Sequence, residues 1–414
     1  MREMKDSGIE WIADIPEHWS VSKIGGLYSL RVTKVSDRDY PPLSVTNKGI
    51  LPQLETAAKT NAHDDRKLVC KGDFAINSRS DRRGSCGISS YTGSVSLINT
   101  ILRPMTEMHP QYYDWLFHTI QFGDEFYKWG HGIVDDLWTT GWQDMKKISI
   151  PTPPITEQAV IADFLDEQCA EIDTLVTDIQ SQIEALEEYK RSVITEVVTK
   201  GLDPDVEMRD SGIAWVGDIP AHWLVEKVKF HLQRNEPRNP GDKQVLSVYR
   251  EYGVIPKDSR DDNHNVTSED TSNYKYVVPG NLVINKMKAW QGSMGVSEYE
   301  GIVSPAYFIY KFTDNQIMPK YLHYLFRSCY KDEFRRISGG IREGQWDLSP
   351  YEFSNTLLLI PPTDEQNRIV SYIDARISEI EFAITEKKQQ IETIEEYKKS
   401  LIFEYVTGKK EVQE

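Results

Sequence analysis

Arginines and lysines set beside glycine and an aromatic ring are the residues of this 414-residue chain whose type and spacing suit chemistry, and that chemistry is recognition. One cluster places Arg79, Arg82 and Arg83 ahead of Gly84; another, at an aligned position, places Lys286, Lys288 and Trp290 ahead of Gly292. Two more follow: Lys128 and His131 flank Trp129 and Gly130, and Arg335 and Arg336 precede Gly339, Gly340 and Arg342. A cation on a glycine-flanked loop can reach a phosphate, and arginine's fork can read a guanine edge in the major groove. For any single residue, ordinary solvated loop charge competes evenly. Recurrence of a basic, glycine-flanked loop at one place in two halves favours function for the loops as units.

Groups for making and breaking bonds show no familiar arrangement. The chain has no phosphate loop, no dinucleotide fingerprint, no zinc-binding histidine pair and no serine elbow. The Pro-Pro pairs that begin at Pro41, Pro153 and Pro361 lack the flanking residues of an amino-methyltransferase site. His18 and His222 recur, each within Ile-Pro-x-His-Trp, where a turn or capping role is expected ahead of a ligand role. Cys70, Cys86, Cys169 and Cys329 have no Cys-x-x-Cys spacing, so free buried thiols are expected instead of disulfides or a zinc site. The expectation is a binding protein with no catalytic residue, no metal site and no cofactor of its own.

What must position these clusters is a duplicated frame. Residues 3–19, EMKDSGIEWIADIPEHW, match residues 207–223, EMRDSGIAWVGDIPAHW, at 12 of 17 positions. At an offset of 208, the stretch from Pro153 to Gln158 matches that from Pro361 to Gln366, and IEALEEYKRS from residue 183 matches IETIEEYKKS from residue 391. Fainter pairs fill the intervals: Gly72 with Gly280, Asn77 with Asn285, Gly87 with Gly295, Phe126 with Phe334, Trp138 with Trp346. The joints stayed alike while the middles, 20–152 and 224–360, diverged.

Short Val, Ile, Tyr and Phe runs broken by Gly, Pro, Asn and Asp give the middles a β-rich signature, with a short helix near each end, Tyr112–Thr119 and Tyr321–Ser328. The segments after them differ in kind. From Glu157 to Thr199 no Pro or Gly occurs, and apolar residues repeat every seventh position from Leu165 to Val193, with partners four residues later. That is a coiled-coil heptad sustained over four repeats. The second copy repeats it through Ile373, Ile380, Ile394 and Leu401. At 1.5 Å per residue each helix is a rod of roughly 60–65 Å. Thr363 with Gln366 has the spacing of a capping box. Lys190 and Lys398 interrupt the seam at equivalent positions; the simpler reading is a stem along the seam with its ammonium in water, and a role in register is the sharper one.

The fold expected is mixed α/β: two globular α/β domains separated by two long antiparallel coiled-coil helices, in a pseudo-two-fold tandem repeat. The expected divisions are 1–152, 153–206, 207–360 and 361–414. Formal charge is −16, but it is unevenly spread: residues 153–223 carry −12, while the middles carry +2 and +1. Acidity marks the first helix and linker, so it does not argue against a nucleic-acid partner. No apolar run reaches the ~18 residues of a membrane span and the first residues are polar, so a soluble cytoplasmic protein with no membrane partner is expected.

The chain resembles the specificity subunit of Type I restriction–modification systems. The resemblance is carried by SGIxW[IV]xDIPxHW at 7–19 and 211–223, by PPxxEQ at 153–158 and 361–366, and by heptad helices that close with Val-Thr. It implies two target-recognition domains, each reading one half of a split, asymmetric site in double-stranded DNA, with the helices as antiparallel spacer. It further implies two methyltransferase subunits that use S-adenosylmethionine to methylate adenine, and restriction subunits, dependent on ATP and Mg²⁺, that join through them. No base contact follows from it. A coiled-coil scaffold with protein-binding end domains is the competing reading, and it leaves the aligned basic loops without a purpose. An enzyme of unfamiliar motif, acting alone on DNA, is a third.

Overall fold

The computed structural model describes residues 2–53, 63–79, 82–132, 138–250, 252–259, 267, 270–340 and 346–412. They form two compact units, Met1–Gln180 with Lys388–Glu414, and Ser181–Lys387, the division passing through both long helices.

Each unit is built on a four-stranded antiparallel sheet. In the first unit the order is Cys86–Ile88, Phe74–Asn77, Asn99–Pro104, Tyr28–Leu30; in the second it is Met294–Val296, Leu282–Asn285, Tyr307–Phe312, Leu232–Arg234. The registers coincide at the offset of 208: Cys86 faces Ile76 as Met294 faces Ile284, and Ile101 faces Ala75 as Ile309 faces Val283. Beside it a second pairing, Val69 with Gly93 and Val277 with Gly301, recurs in the same way. Gly93 and Gly301 are there for space, since a Cβ on either would lie 2.5 Å from the carbonyl oxygen of Pro41 or Gln244. The sequence drift of the middles has therefore left topology and close contacts intact.

A short helix covers each sheet, Pro110–Phe117 and Pro319–Cys329, with proline in the first turn, where a missing N–H costs nothing. Tyr28, Phe74, Tyr113, Phe117 and Phe122 form the aromatic centre of the first core, and Phe326, Tyr330, Phe334 and Phe353 that of the second.

The long helices run Ile155–Lys200 and Thr363–Val406. Every heptad position read from the sequence is buried or half-buried, from Leu165 to Val197 and from Ile373 to Tyr405. Inside the first unit, the rings of Phe164 and Tyr405 lie 4.5 Å apart and Lys398 Nζ donates to Asp173 at 2.6 Å. Inside the second, Lys387 donates to Gln182 at 2.5 Å and Lys190 lies 3.5 Å from Glu381. One number rises as the other falls, so the segments are antiparallel in both units. Lys190 and Lys398 reach equivalent acids, Glu381 and Asp173, across the seam: their ammoniums make cross-helix ion pairs.

Two expectations are corrected at the helix starts. Gln366 closes no capping box. Its Oε1 accepts the Met318 N–H at 2.7 Å, and its Nε2 donates to the carbonyls of Pro361 and Gln316 at 2.8 and 2.7 Å. Gln158 does the same in the first unit, accepting from His109 at 2.9 Å and donating to Pro153 at 2.8 Å. His109 and Met318 are the caps of the short helices, so each glutamine stitches a long helix to the helix on the sheet. The histidines are not turn caps either. His18 pairs with Glu157 at 2.5 Å, with Trp19 Nε1 donating to the same carboxylate at 3.0 Å, and His222 pairs with Glu365 at 2.8 Å. The Ile-Pro-x-His-Trp motif thus folds onto the Pro-Pro-x-x-Glu-Gln motif of its own unit.

Each helix end is also held in the same way. Tyr112 and Tyr321 donate to the carbonyls of Val406 and Val198, last-turn acceptors without a helical partner, at 2.7 and 3.1 Å. Gly408 and Gly201 then stop the helices in the left-handed region, at φ of 73° and 76°. Arg2 lies 3.5 Å from Glu411 and Lys409 donates to the Ile12 carbonyl at 2.9 Å, so the chain's two ends meet within the first unit.

The four cysteines are free, Cys86 and Cys169 buried, Cys70 and Cys329 half-buried. Burial pushes the Cys169 thiol up to about 11 and that of Cys329 up to about 12, which keeps both protonated at neutral pH. No helix among the described residues is long and apolar enough to cross a membrane, and none of their acidic, histidine and cysteine side chains are grouped to hold a metal.

Candidate nucleic-acid interface

In the first unit the loop after the central strand meets the end of the Ile120–Lys128 helix. Arg79 pairs its backbone with Thr139, which pairs with His131. Tyr127 Oη donates to the Arg79 carbonyl at 2.9 Å. The Arg83 guanidinium lies 5.1 Å from the centre of the Tyr127 ring and donates to Asp124 at 3.1 Å. Arg82 is exposed beside it. Arg79, Arg82, Arg83, Lys128 and His131, distant in sequence, therefore share one surface.

The second unit assembles the equivalent surface. Leu348 N donates to the Lys286 carbonyl at 2.8 Å, as Thr140 N does to Ser78 at 3.0 Å. Gly339 pairs with Asp347 as His131 pairs with Thr139. Lys286 Nζ reaches Asp347 at 2.9 Å. Trp290 packs edge-on against Trp346 at 5.6 Å, and Arg335 lies 5.8 Å from its ring. Lys288 and Arg336 are exposed. Arg342 lies outside the described residues.

Carboxylates temper these cations. Lys128 donates to Glu10 at 2.9 Å, an exposed pair that holds the ammonium above its usual range and the acid below. Glu125 stands three residues before Lys128, and Glu333, at the aligned place, pairs with Arg336 at 2.8 Å. His131 and Lys147 share Asp144, lowered chiefly by Lys147. Exposed pairs of this kind hold weakly against solvent, so a phosphate can replace the carboxylate at small cost. Sequence reading missed the groups that orient the cations: Tyr127, Asp124, Trp346 and Asp347. The aligned Trp138 and Trp346 were the available signal.

Fold and surface together define a duplicated, helix-braced protein with two like cationic and aromatic faces. Comparison narrows the class. Residues 231–393 match the family described as the Type I restriction modification DNA specificity domain. The chain is 23% identical over 276 residues to the putative type I restriction enzyme MjaX specificity subunit of Methanocaldococcus jannaschii, covering 64% of this chain and 60% of that protein. It is 26% identical over 227 residues to the MjaVIII specificity subunit of the same organism, covering 52% and 49%, and 22% identical over 244 residues to the EcoKI specificity subunit of Escherichia coli, covering 55% and 50%. The matched stretches thus span between half and three-fifths of those relatives. Among solved structures, a chain of a type I R-M system superposes with a TM-score of 0.68 at 11% identity, over 95% of this chain and 99% of that one. The HsdS subunit of Thermoanaerobacter tengcongensis gives 0.52 at 14% identity, over 95% and 98%. The second half of the chain thus matches a Type I restriction modification DNA specificity domain, and the chain as a whole is similar to type I restriction enzyme specificity subunits.

Proposed function

We propose that this chain is the non-catalytic DNA-recognition subunit of a Type I restriction–modification complex, each globular domain reading one half of a bipartite, asymmetric site. One observation carries the reading: a loop and helix end that bring arginine or lysine together with an aromatic ring, built at the same place in both copies. Two readers in one chain call for two half-sites, and diverged readers call for half-sites that differ. The globular domains are residues 20–152 and 224–360 with their flanking motifs, and the helices between them set the spacer. A duplicated chain offers two similar faces to two copies of a partner, here the methyltransferase subunits. Adenine must leave the stack to be methylated, and the pocket, S-adenosylmethionine and the nucleotide-dependent machinery belong to those partners. A scaffold that only binds protein would not need the two cationic faces.

The test is domain exchange. Replacing residues 20–152 with the first domain of another family member, then mapping methylated adenines in cells, is expected to change one half-site and leave the other. A change in both, or in neither, overturns the reading.

A further inference from the structure

The loops that leave the central strands are anchored identically and tipped differently. Asn77 and Asn285 each accept, through Oδ1 at 3.1 Å, the N–H two residues on, from Arg79 and Met287. Each asparagine's own N–H donates across the loop, to the carbonyl of Ser85 at 2.8 Å or of Ser293 at 3.0 Å. Left-handed glycines close both loops, Gly84 at 70° and Gly292 at 87°. Just before those glycines the chemistry changes: Arg82 stands where Trp290 does, and Arg83 where Gln291 does.

We propose that these two aligned positions decide the base each half-site requires, the Arg82–Arg83 pair a guanine and Gln291 an adenine. The inference rests on the duplex-reading function proposed above. Arg83 is steadied by the Tyr127 ring and by one hydrogen bond to Asp124, which uses one of the five donors a guanidinium carries. A steadied fork suits O6 and N7 of guanine. Gln291 is steadied too: its Oε1 accepts from Arg250 Nη2 at 2.8 Å, and a guanidinium can only donate. That fixes the carboxamide, with its NH₂ turned away from Arg250 and a second lone pair left on Oε1. One donor beside one acceptor is the complement of adenine N7 and N6–H. Trp290 and Gln291 line a cleft of about 450 Å³ whose lining also includes Lys288 and Lys257, cations of the kind that meet phosphates beside a base edge.

The test enriches random-sequence duplexes on the full chain, purified with any subunits that stay bound to it. Wild type is expected to yield a two-part motif with guanine required in one part and adenine in the other. Arg82→Trp with Arg83→Gln is expected to cut the guanine preference roughly tenfold and leave the other half-site unchanged, while Gln291→Arg moves one adenine position to guanine. Arg83→Lys, a mild change that keeps charge but loses the fork, is expected to lower guanine preference while the salt dependence of binding stays as in wild type. A wild-type motif that all three variants leave intact overturns the assignment of bases to these positions alone. A wild-type protein that enriches no sequence overturns the duplex-reading function itself.

Discussion

In the first copy an arginine from the loop lies over a tyrosine from the helix end; in the second an arginine from the helix end lies over a tryptophan from the loop. Tyr127 aligns with Arg335, while Arg83 aligns with Gln291, next to Trp290, so cation and ring have exchanged segments, with the loop partner shifted by one position. Beside the sheet an acceptor changes type. Ile88 N donates to Asp114 at 2.7 Å, and its counterpart Val296 N donates to His323 Nδ1 at 3.2 Å. In a duplicated fold the backbone requirement, a stack here and an acceptor there, persists while the residue that meets it drifts. Any charge-dependent property should then differ between copies although the geometry does not.

The stitching glutamines offer the strongest way to probe this. Gln366 is fully buried and serves three backbone groups where Gln158 serves two. Replacing either with leucine leaves those groups buried without partners, at about 1 kcal/mol or more each. Gln366→Leu is expected to destabilise the second unit by about 3 kcal/mol and Gln158→Leu the first by about 2 kcal/mol. Hydrogen exchange measured unit by unit reports both; equal losses, or loss in the wrong unit, would remove the glutamines from this role.

Acid should act on the two copies with opposite sign. Burial, helped by Arg327 and Lys320, lowers the His323 imidazole to about 3, against about 6.5 in an unfolded chain. Between those values the unfolded state binds a proton that the folded state refuses, so stability falls as pH drops below about 6.5, by about 2 kcal/mol at pH 5. Burial raises the Asp114 carboxyl, opposed by His118 and the Ile88 N–H. Its folded form takes a proton first, so acidification through its raised value adds stability to the first copy. Exchange at the Val296 amide is expected to quicken between pH 7 and 5, after correction for intrinsic rates, with no matching change at Ile88. His323→Gln, which keeps an acceptor for Val296, should abolish the effect; persistence of the acid loss in that variant would refute the assignment.

How much of this could be read beforehand depended on which signal each feature leaves. The long helices were legible because an a/d seam is sustained from Leu165 to Val197 and from Ile373 to Tyr405, and burial follows it residue by residue. The duplication was legible in Trp19 and Trp223 because a motif that packs onto its own helix tolerates little change. Strand order was not, since pairing such as Phe74 with Leu102 joins residues whose local sequence says nothing of partner. Gln366 was misread for the same reason: the capping-box spacing of Thr363 and Gln366 is local, and the Met318 N–H that claims Gln366 is 48 residues away. At the surface, type and recurrence singled out candidate cations. The rings and acids that aim them come from other segments, beyond what spacing can reveal.

The two cationic faces give a smaller difference. Alanine at both Arg82 and Arg83 removes two cations from the first face, while Lys288→Ala removes one from the second. The double substitution is expected to weaken duplex binding about tenfold and to flatten the log–log salt dependence by one to two units, the single one by about half of that. Titration at several salt concentrations measures it. An unchanged slope in the double variant would take this loop out of contact with phosphate.

The least effect is expected at the seam lysines, and there the copies differ in geometry alone. Lys398 has Asp173 at 2.6 Å to itself, whereas Lys190 divides between Glu187 at 3.1 Å, on its own helix, and Glu381 at 3.5 Å across the seam. Both sites are solvent-accessible, which limits either cross-helix pair to under about 1 kcal/mol. A double-mutant cycle on unfolding free energy should give Lys398 and Asp173 a favourable coupling and Lys190 and Glu381 nearly none, because losing Glu381 leaves Lys190 its i−3 partner. If these lysines set register, exchanging the charges of Lys398 and Asp173 restores stability, while either single reversal lowers it. Equal coupling at both sites would mean the seam sees only a lysine stem and not where its ammonium points.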